Sequence, residues 1–200
     1  MSDTPSQTAD AQAPATPEAP PLPWAEVQPE HFRLVRLAPL PTDRHTGARA
    51  LRFAQFGHAE RHSKDLSLLR LNIALPGQRV RSEQNHFDLW VDHTTQRVRI
   101  SPERGLQIEP LNRGLGRFLM AQAVSWAQKR WSHYRIDGAD LASKDAFNED
   151  SRLRRDHFLR MHGFDVVYAD AQFLKARIEE VQVGELLDSW NAEKLQLLEI

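Results

Sequence analysis

Apolar and polar residues alternate in short runs through the middle of this chain, and apolar residues then recur at three- and four-residue spacing in its second half. A period of two predicts strands and a period near 3.6 predicts helices. Residues 32–37 alternate as a short strand, which Pro39 and Pro41 end. Ala48, Leu51, Ala54 and Gln55 fall at helical spacing and predict a helix over 47–63, with Gly57 as a breaker. Leu69, Leu71, Ile73 and Leu75 share one face of a strand over 66–75, and Pro76-Gly77 marks the turn after it. Phe87, Leu89 and Val91 predict another strand, Val98 and Ile100 the next, and Leu106 and Ile108 a fourth. Short turns at 92–95 and 102–105 join these as an antiparallel meander.

Downstream, Leu115, Leu119, Ala123, Trp126 and Ala127, flanked by Phe118, form the apolar stripe of a core-facing helix. Residues 134–141 read as a strand, 149–162 as a basic helix, 164–168 as a strand, 173–183 as a weak last strand and 184–198 as a closing helix. Strands in a meander followed by strand, helix, strand, helix and strand predict an α/β fold, an α+β mixed sheet with helices on both faces.

The stretch Pro110-Leu111-Asn112-Arg113-Gly114-Leu115-Gly116-Arg117 carries the clearest chemistry. A strand runs there into a Gly-rich turn that opens a helix. Helix N-termini leave backbone N–H groups without partners and carry about half a positive charge, so a turn free of bulky Cβ atoms lets a phosphate approach them. Gly114 and Gly116 supply that turn; a tight strand-to-helix connection is the alternative reading. Further on, Phe158-Leu159-Arg160-Met161-His162-Gly163-Phe164 ends a helix in Gly-Phe before the strand-like run Asp165-Val166-Val167-Tyr168.

Together these two segments, within residues 96–170, resemble the core of the GNAT N-acyltransferase superfamily. The resemblance implies a GNAT-like sheet and acetyl-coenzyme A as co-substrate. The coenzyme pyrophosphate would lie on the backbone near Gly114, Leu115, Gly116 and Arg117, with Arg113 and Arg117 adding charge-assisted contacts. It implies transfer of the acetyl group to an amine of unknown class by direct attack. Several family members draw a general base from the strand before the turn, where Glu109 stands; a solvent-facing strand glutamate is the plainer reading. The chain departs from the family pattern in three places. With Gly114 and Gly116 in register, Leu111 holds the first fixed position of the turn. Leu159 replaces the tyrosine that often protonates the departing thiolate, and Arg152 replaces a frequent asparagine. The alternative function is therefore a catalytically silent module that binds coenzyme A or a protein partner through the same frame.

Composition narrows the remaining classes. Residues 29–200 suffice for a single domain, and 1–28, with four acidic residues and no basic ones, predict a disordered Pro/Ala-rich tail in which Trp24 docks at the edge of the folded part. A formal net charge of −1 offers no global field for nucleic acid or an anionic membrane. The absence of cysteine excludes disulfides, thiolate metal sites and a cysteine nucleophile. No run of about 18 apolar residues is present, and no secretory signal opens the chain, so a cytoplasmic location is expected. Nothing in the sequence decides between monomer and homodimer. His58 and His62 stand four apart on the expected helix, a spacing that suits two metal ligands, but no third ligand is evident and no metal is expected. Arg152, Arg154, Arg155 and Arg160, with Lys144, form the local basic cluster, read as a solvated helix face bordering the coenzyme site.

Overall fold

The computed structural model describes residues 22–80, 84–101 and 108–199. Strand β1 (His31–Leu37) is followed by a small hairpin, β2 (Leu40–Asp43) and β3 (Gly47–Arg49). Then come β4 (Arg52–His62), antiparallel to β1, and β5 (Leu66–Ala74), β6 (His86–Asp92) and β7 (Arg97–Ser101), each of these three antiparallel to the one before it. Helix α1 (Leu115–Trp131) leads to β8 (Arg135–Ile136), which pairs with β7 in parallel. After β9 (Ala139–Asp140) come α2 (Glu149–Met161), β10 (Val166–Tyr168), β11 (Ala176–Ile178), β12 (Val181–Gln182) and β13 (Leu195–Leu197).

The main sheet has eight strands in the order β12-β8-β7-β6-β5-β4-β1-β13, and β10-β11-β9 form a second sheet of three. The fold is therefore mixed α/β, built on a large, mostly antiparallel sheet. Its core lies between one sheet face and α1, where Val35, Phe56, Leu71, Phe87 and Val91 meet Leu115, Phe118, Leu119 and Ala123. Phe158 and Leu159 of α2 pack against the same cluster. Both helices thus feed one core, where the chain pattern predicts helices on both faces. The segment at 22–30 serves the opposite face: Trp24 stacks on Trp90 at 6.2 Å, and Arg70 donates to the carbonyls of Trp24 and Val27 while pairing with Asp88 at 3.0 Å. The rest of the expected tail, 1–21, lies outside the described residues.

Neither of two expected helices forms: the first is largely a strand, and the second is irregular chain that ends in one. Residues 52–62 pair along their length with β1 on one side and β5 on the other, so Ala54, Phe56 and His58 point alternately with Gly57 and Ala59. The helical spacing of Ala48, Leu51 and Ala54 is overridden, because a central strand satisfies its backbone on two edges at once. Gly57 is needed there, since a Cβ would run into Asn72, Pro29 and Phe32. At the chain end, the segment expected as a closing helix supplies β13, which pairs Leu195 with Leu37 and Leu197 with Val35. Leu195 is fully buried there. The strand expected over 134–141 is split between β8 and β9, which join different sheets. Of the expected fourth meander strand, Leu106 lies outside the described residues; Ile108 is buried and belongs to no strand.

Candidate functional site

The start of α1 is shaped by backbone in the left-handed region at Asn112 (φ 56°) and Gly114 (φ 82°), the latter serving as N-cap. A glycine accepts that conformation without a Cβ penalty. The cap has no side-chain acceptor, and the first turn holds no acidic residue. The usual means of satisfying a helix start are thus missing. The first hydrogen bond of the helix runs from the Phe118 N–H to the Gly114 carbonyl at 3.1 Å.

The residues expected to bind phosphate occupy different surroundings. Leu115 is buried in the core. Gly116 faces α2, with a Phe158 ring carbon 3.7 Å from where a Cβ would stand, and Gly114 faces Lys194, with a carbon at 3.6 Å. Arg117, half-buried in the first turn, has an Nη2 3.5 Å from the Ser189 carbonyl and a buried Nε without a partner. Arg113 turns inward and is 3% exposed. Its Nη2 donates to the carbonyls of Leu37, Ala38 and Ala50 at 3.3, 3.1 and 2.7 Å, so its guanidinium ties α1 to the end of β1. Burial, together with Arg52 and Arg49 nearby, pushes the Arg113 pKa down.

Glu109 is fixed through its main chain, not its carboxylate. The buried Asn85 accepts from the Glu109 N–H at 2.8 Å and donates to the Glu109 carbonyl at 3.0 Å. The Glu109 side chain is partly exposed, on a bend ahead of α1. Next to Arg117, His162 is fully buried at the end of α2. Its Nδ1 donates to the Leu187 carbonyl at 3.0 Å, and its Nε2 has no partner. Burial pushes the His162 pKa down; the bond to Leu187 opposes this and the Arg117 charge adds to it, so the ring stays neutral.

The basic cluster of α2 is largely engaged. Arg155 donates to Asp156, Tyr168 and the Ala142 carbonyl, and Tyr168 donates to Asp156. Arg152 lies 4.7 Å over the Phe173 ring, and Arg160 donates to the Val166 carbonyl at 3.3 Å. Among the described residues, no group of three or more metal-ligating side chains comes together. Among the described residues, no helix is long and apolar enough to cross a membrane.

At the other end of α1 the fold assembles a hydrogen-bonded chain that the sequence reading missed. Glu60 meets His62 Nε2 at 3.0 Å, His62 Nδ1 meets Ser67 Oγ at 2.8 Å, Ser67 Oγ meets His93 Nε2 at 2.8 Å, and His93 Nδ1 meets Tyr134 at 3.0 Å. One proton per link satisfies every member when Tyr134 donates to His93, His93 to Ser67, Ser67 to His62 and His62 to the Glu60 carboxylate. Burial raises the Glu60 pKa, but the bonds from His62 and Arg130, with the Trp126 N–H nearby, outweigh it and hold the carboxyl at about 2. Its members come from β4, β5, the β6–β7 turn and the approach to β8, so no short motif announces them.

No family model matches the chain, and no curated protein or solved structure shows significant similarity to it.

Proposed function

We propose that this protein is an acyl-coenzyme A-dependent N-acyltransferase with a GNAT-like core, which holds the coenzyme pyrophosphate at the start of α1 and passes an acetyl group to an amine. The observation that carries this reading is the uncompensated positive end of α1. Its cap is bare, its first turn lacks an acid, and Arg117 and Lys194 flank it without an ion pair among the described residues. Cations at a helix N-terminus are unfavourable unless an anion joins them. The parallel β7–α1–β8 unit supports the same reading, because such units present a helix start beyond the strand ends.

In the reaction, the amine nitrogen attacks the thioester carbonyl, the C–S bond breaks, and coenzyme A leaves as thiolate. Glu109 is the candidate acceptor of the amine proton, its position fixed through the Asn85 clamp. Arg113 contributes by holding the turn rather than by reaching phosphate. Leu159 packs against the core and has no proton to give, so the thiolate takes its proton from water or another group. That same packing favours the second reading, a silent module that binds coenzyme without transfer.

Acetyl-coenzyme A at millimolar concentration is expected to raise the Tm, since a ligand bound to the folded state alone stabilises it by mass action. Arg117→Glu should remove the shift while leaving the unliganded Tm nearly unchanged. No shift and no heat in calorimetry would overturn coenzyme binding. Binding without turnover on a broad amine panel would select the silent module.

A further inference from the structure

A cleft of about 270 Å³ opens between the β4–β5 side of the sheet and the later turns of α1, lined by Arg33, Phe56, His58, Glu60, Gln122 and Trp126, with Ser125, Lys129 and Arg130 at its α1 wall. Its floor is apolar, formed by Phe56 with Leu69 and Leu71. At about 1.5 Å of rise per residue, Trp126 stands roughly 16 Å along the helix from Leu115, so the cleft is separate from the start of α1.

Several of the polar groups that converge here have no partner among the described residues. Glu60 and Arg130 satisfy each other at 3.1 Å, and Arg130 also lies 5.7 Å from the Trp126 ring centre. Arg33, Gln122, Ser125 and Lys129 form no side-chain hydrogen bond or ion pair among the described residues. His58 Nδ1 is buried without a partner, although its ring stacks between His31 at 5.1 Å and Phe56 at 6.0 Å. With Glu60 neutralised by Arg130, the two free charges, Arg33 and Lys129, are both positive. Burial, His31 and Arg33 all press the His58 pKa down, and only Glu60 works against them. An amine would find no free carboxylate in this cleft. An anion would find a guanidinium fork and an ammonium, each unpaired among the described residues, beside the His58 ring.

We propose that this cleft is a binding site for a small molecule with a flat apolar body and one carboxylate or phosphate group. The body lies on Phe56 and the two leucines beside Trp126, and the anion meets Arg33 next to the His58 ring, with Lys129 at the rim. The volume lies just below the range of about 300 Å³ and upward typical of ligand sites, so the ligand is small. This site does not depend on the acyl-transfer reading.

Calorimetry and ligand-observed NMR on the full chain test it, with benzoate and phenyl phosphate as anionic probes and benzylamine and benzyl alcohol as controls of similar shape. At least one anionic probe should bind, at least about tenfold more tightly than either control, and the tighter of the two anionic probes identifies the anion. Arg33→Ala should cost about tenfold in that affinity. Gln122→Trp, which fills the cleft from the helix side, should abolish binding in a protein whose circular dichroism and Tm match the wild type. The proposal fails if no anionic probe binds at millimolar concentration, if benzylamine or benzyl alcohol binds as well as the anions, or if neither substitution weakens binding. Coenzyme binding, measured in parallel, should be unaffected by Gln122→Trp, which keeps this result separate from the acyl-transfer reading.

Discussion

Asn85 grips the main chain of Glu109 from both sides, its Oδ1 accepting at 2.8 Å and its Nδ2 donating at 3.0 Å, while the same Nδ2 lies 3.3 Å from the Ile73 carbonyl. A buried amide in this position joins the end of β5 to the bend before α1. Asn85→Ala leaves the Glu109 N–H and carbonyl without their partner and should cost about 1–3 kcal/mol. Denaturant unfolding measures the loss, and if the bend positions Glu109, turnover should fall further than the unfolded fraction accounts for.

Glu109→Gln separates the carboxylate from that scaffold. If Glu109 takes the amine proton, the variant should keep its affinity for acetyl-coenzyme A and lose roughly 100-fold or more in turnover, the usual scale of general-base help. The deficit should narrow as pH rises, because more of the acceptor is then already neutral. Equal turnover in variant and wild type would remove Glu109 from the mechanism.

Arg113→Met should act on stability and only weakly on the coenzyme. Three carbonyls share the Arg113 Nη2, and removing the guanidinium leaves the buried Leu37 and Ala38 carbonyls without that donor. A loss of about 2 kcal/mol is expected in denaturant unfolding. A variant with unchanged stability but much weaker coenzyme binding would instead put Arg113 in direct contact with phosphate.

The fold should weaken in mild acid because of His162. Its pKa in the folded protein is pushed below the usual value of 6.5, chiefly by burial. The unfolded chain therefore takes up a proton that the folded chain refuses. Stability is full above about 6.5 and falls as the pH drops toward the depressed folded value. His58 is shifted in the same direction and adds to the slope. Glu60 and Asp43, both at about 2, carry the same sign but act only below the ordinary carboxylate range. Tm measured between pH 7 and pH 5 should fall in the wild type and fall less in His162→Asn, whose amide can still donate to the Leu187 carbonyl. Parallel curves would show that His162 does not set the slope.

Ser67 is 1% exposed and bonds to two imidazoles at once. Ser67→Ala removes the link between His62 and His93 and should lower stability by about 1–3 kcal/mol. The NMR signals of both rings should move together, as expected for members of one hydrogen-bonded chain. If only one ring responds, the chain is two separate contacts.

Much of this architecture is written locally. The alternation at Leu69, Leu71 and Ile73 and at Phe87, Leu89 and Val91, the stripe from Leu115 to Ala127, and the turn at Gly77 each express a backbone period or a glycine conformation that neighbouring residues suffice to define. The bare helix start at Gly114 was legible for the same reason. What the sequence left open depended on distant pairing. Residues 52–62 become a strand because β1 and β5 offer two edges, and Leu195–Leu197 become one because β1 offers its other edge to the end of the chain. Arg113 looked like a phosphate ligand until its inward turn met three carbonyls, from the end of β1 and from the link ahead of β4. The Glu60-to-Tyr134 chain and the cleft at Arg33 and His58 gather side chains from separate strands and from α1. Sequence periodicity fixes which face a residue takes within its own element, but only the packing of elements decides which faces meet, and sites built across elements arise at that second step.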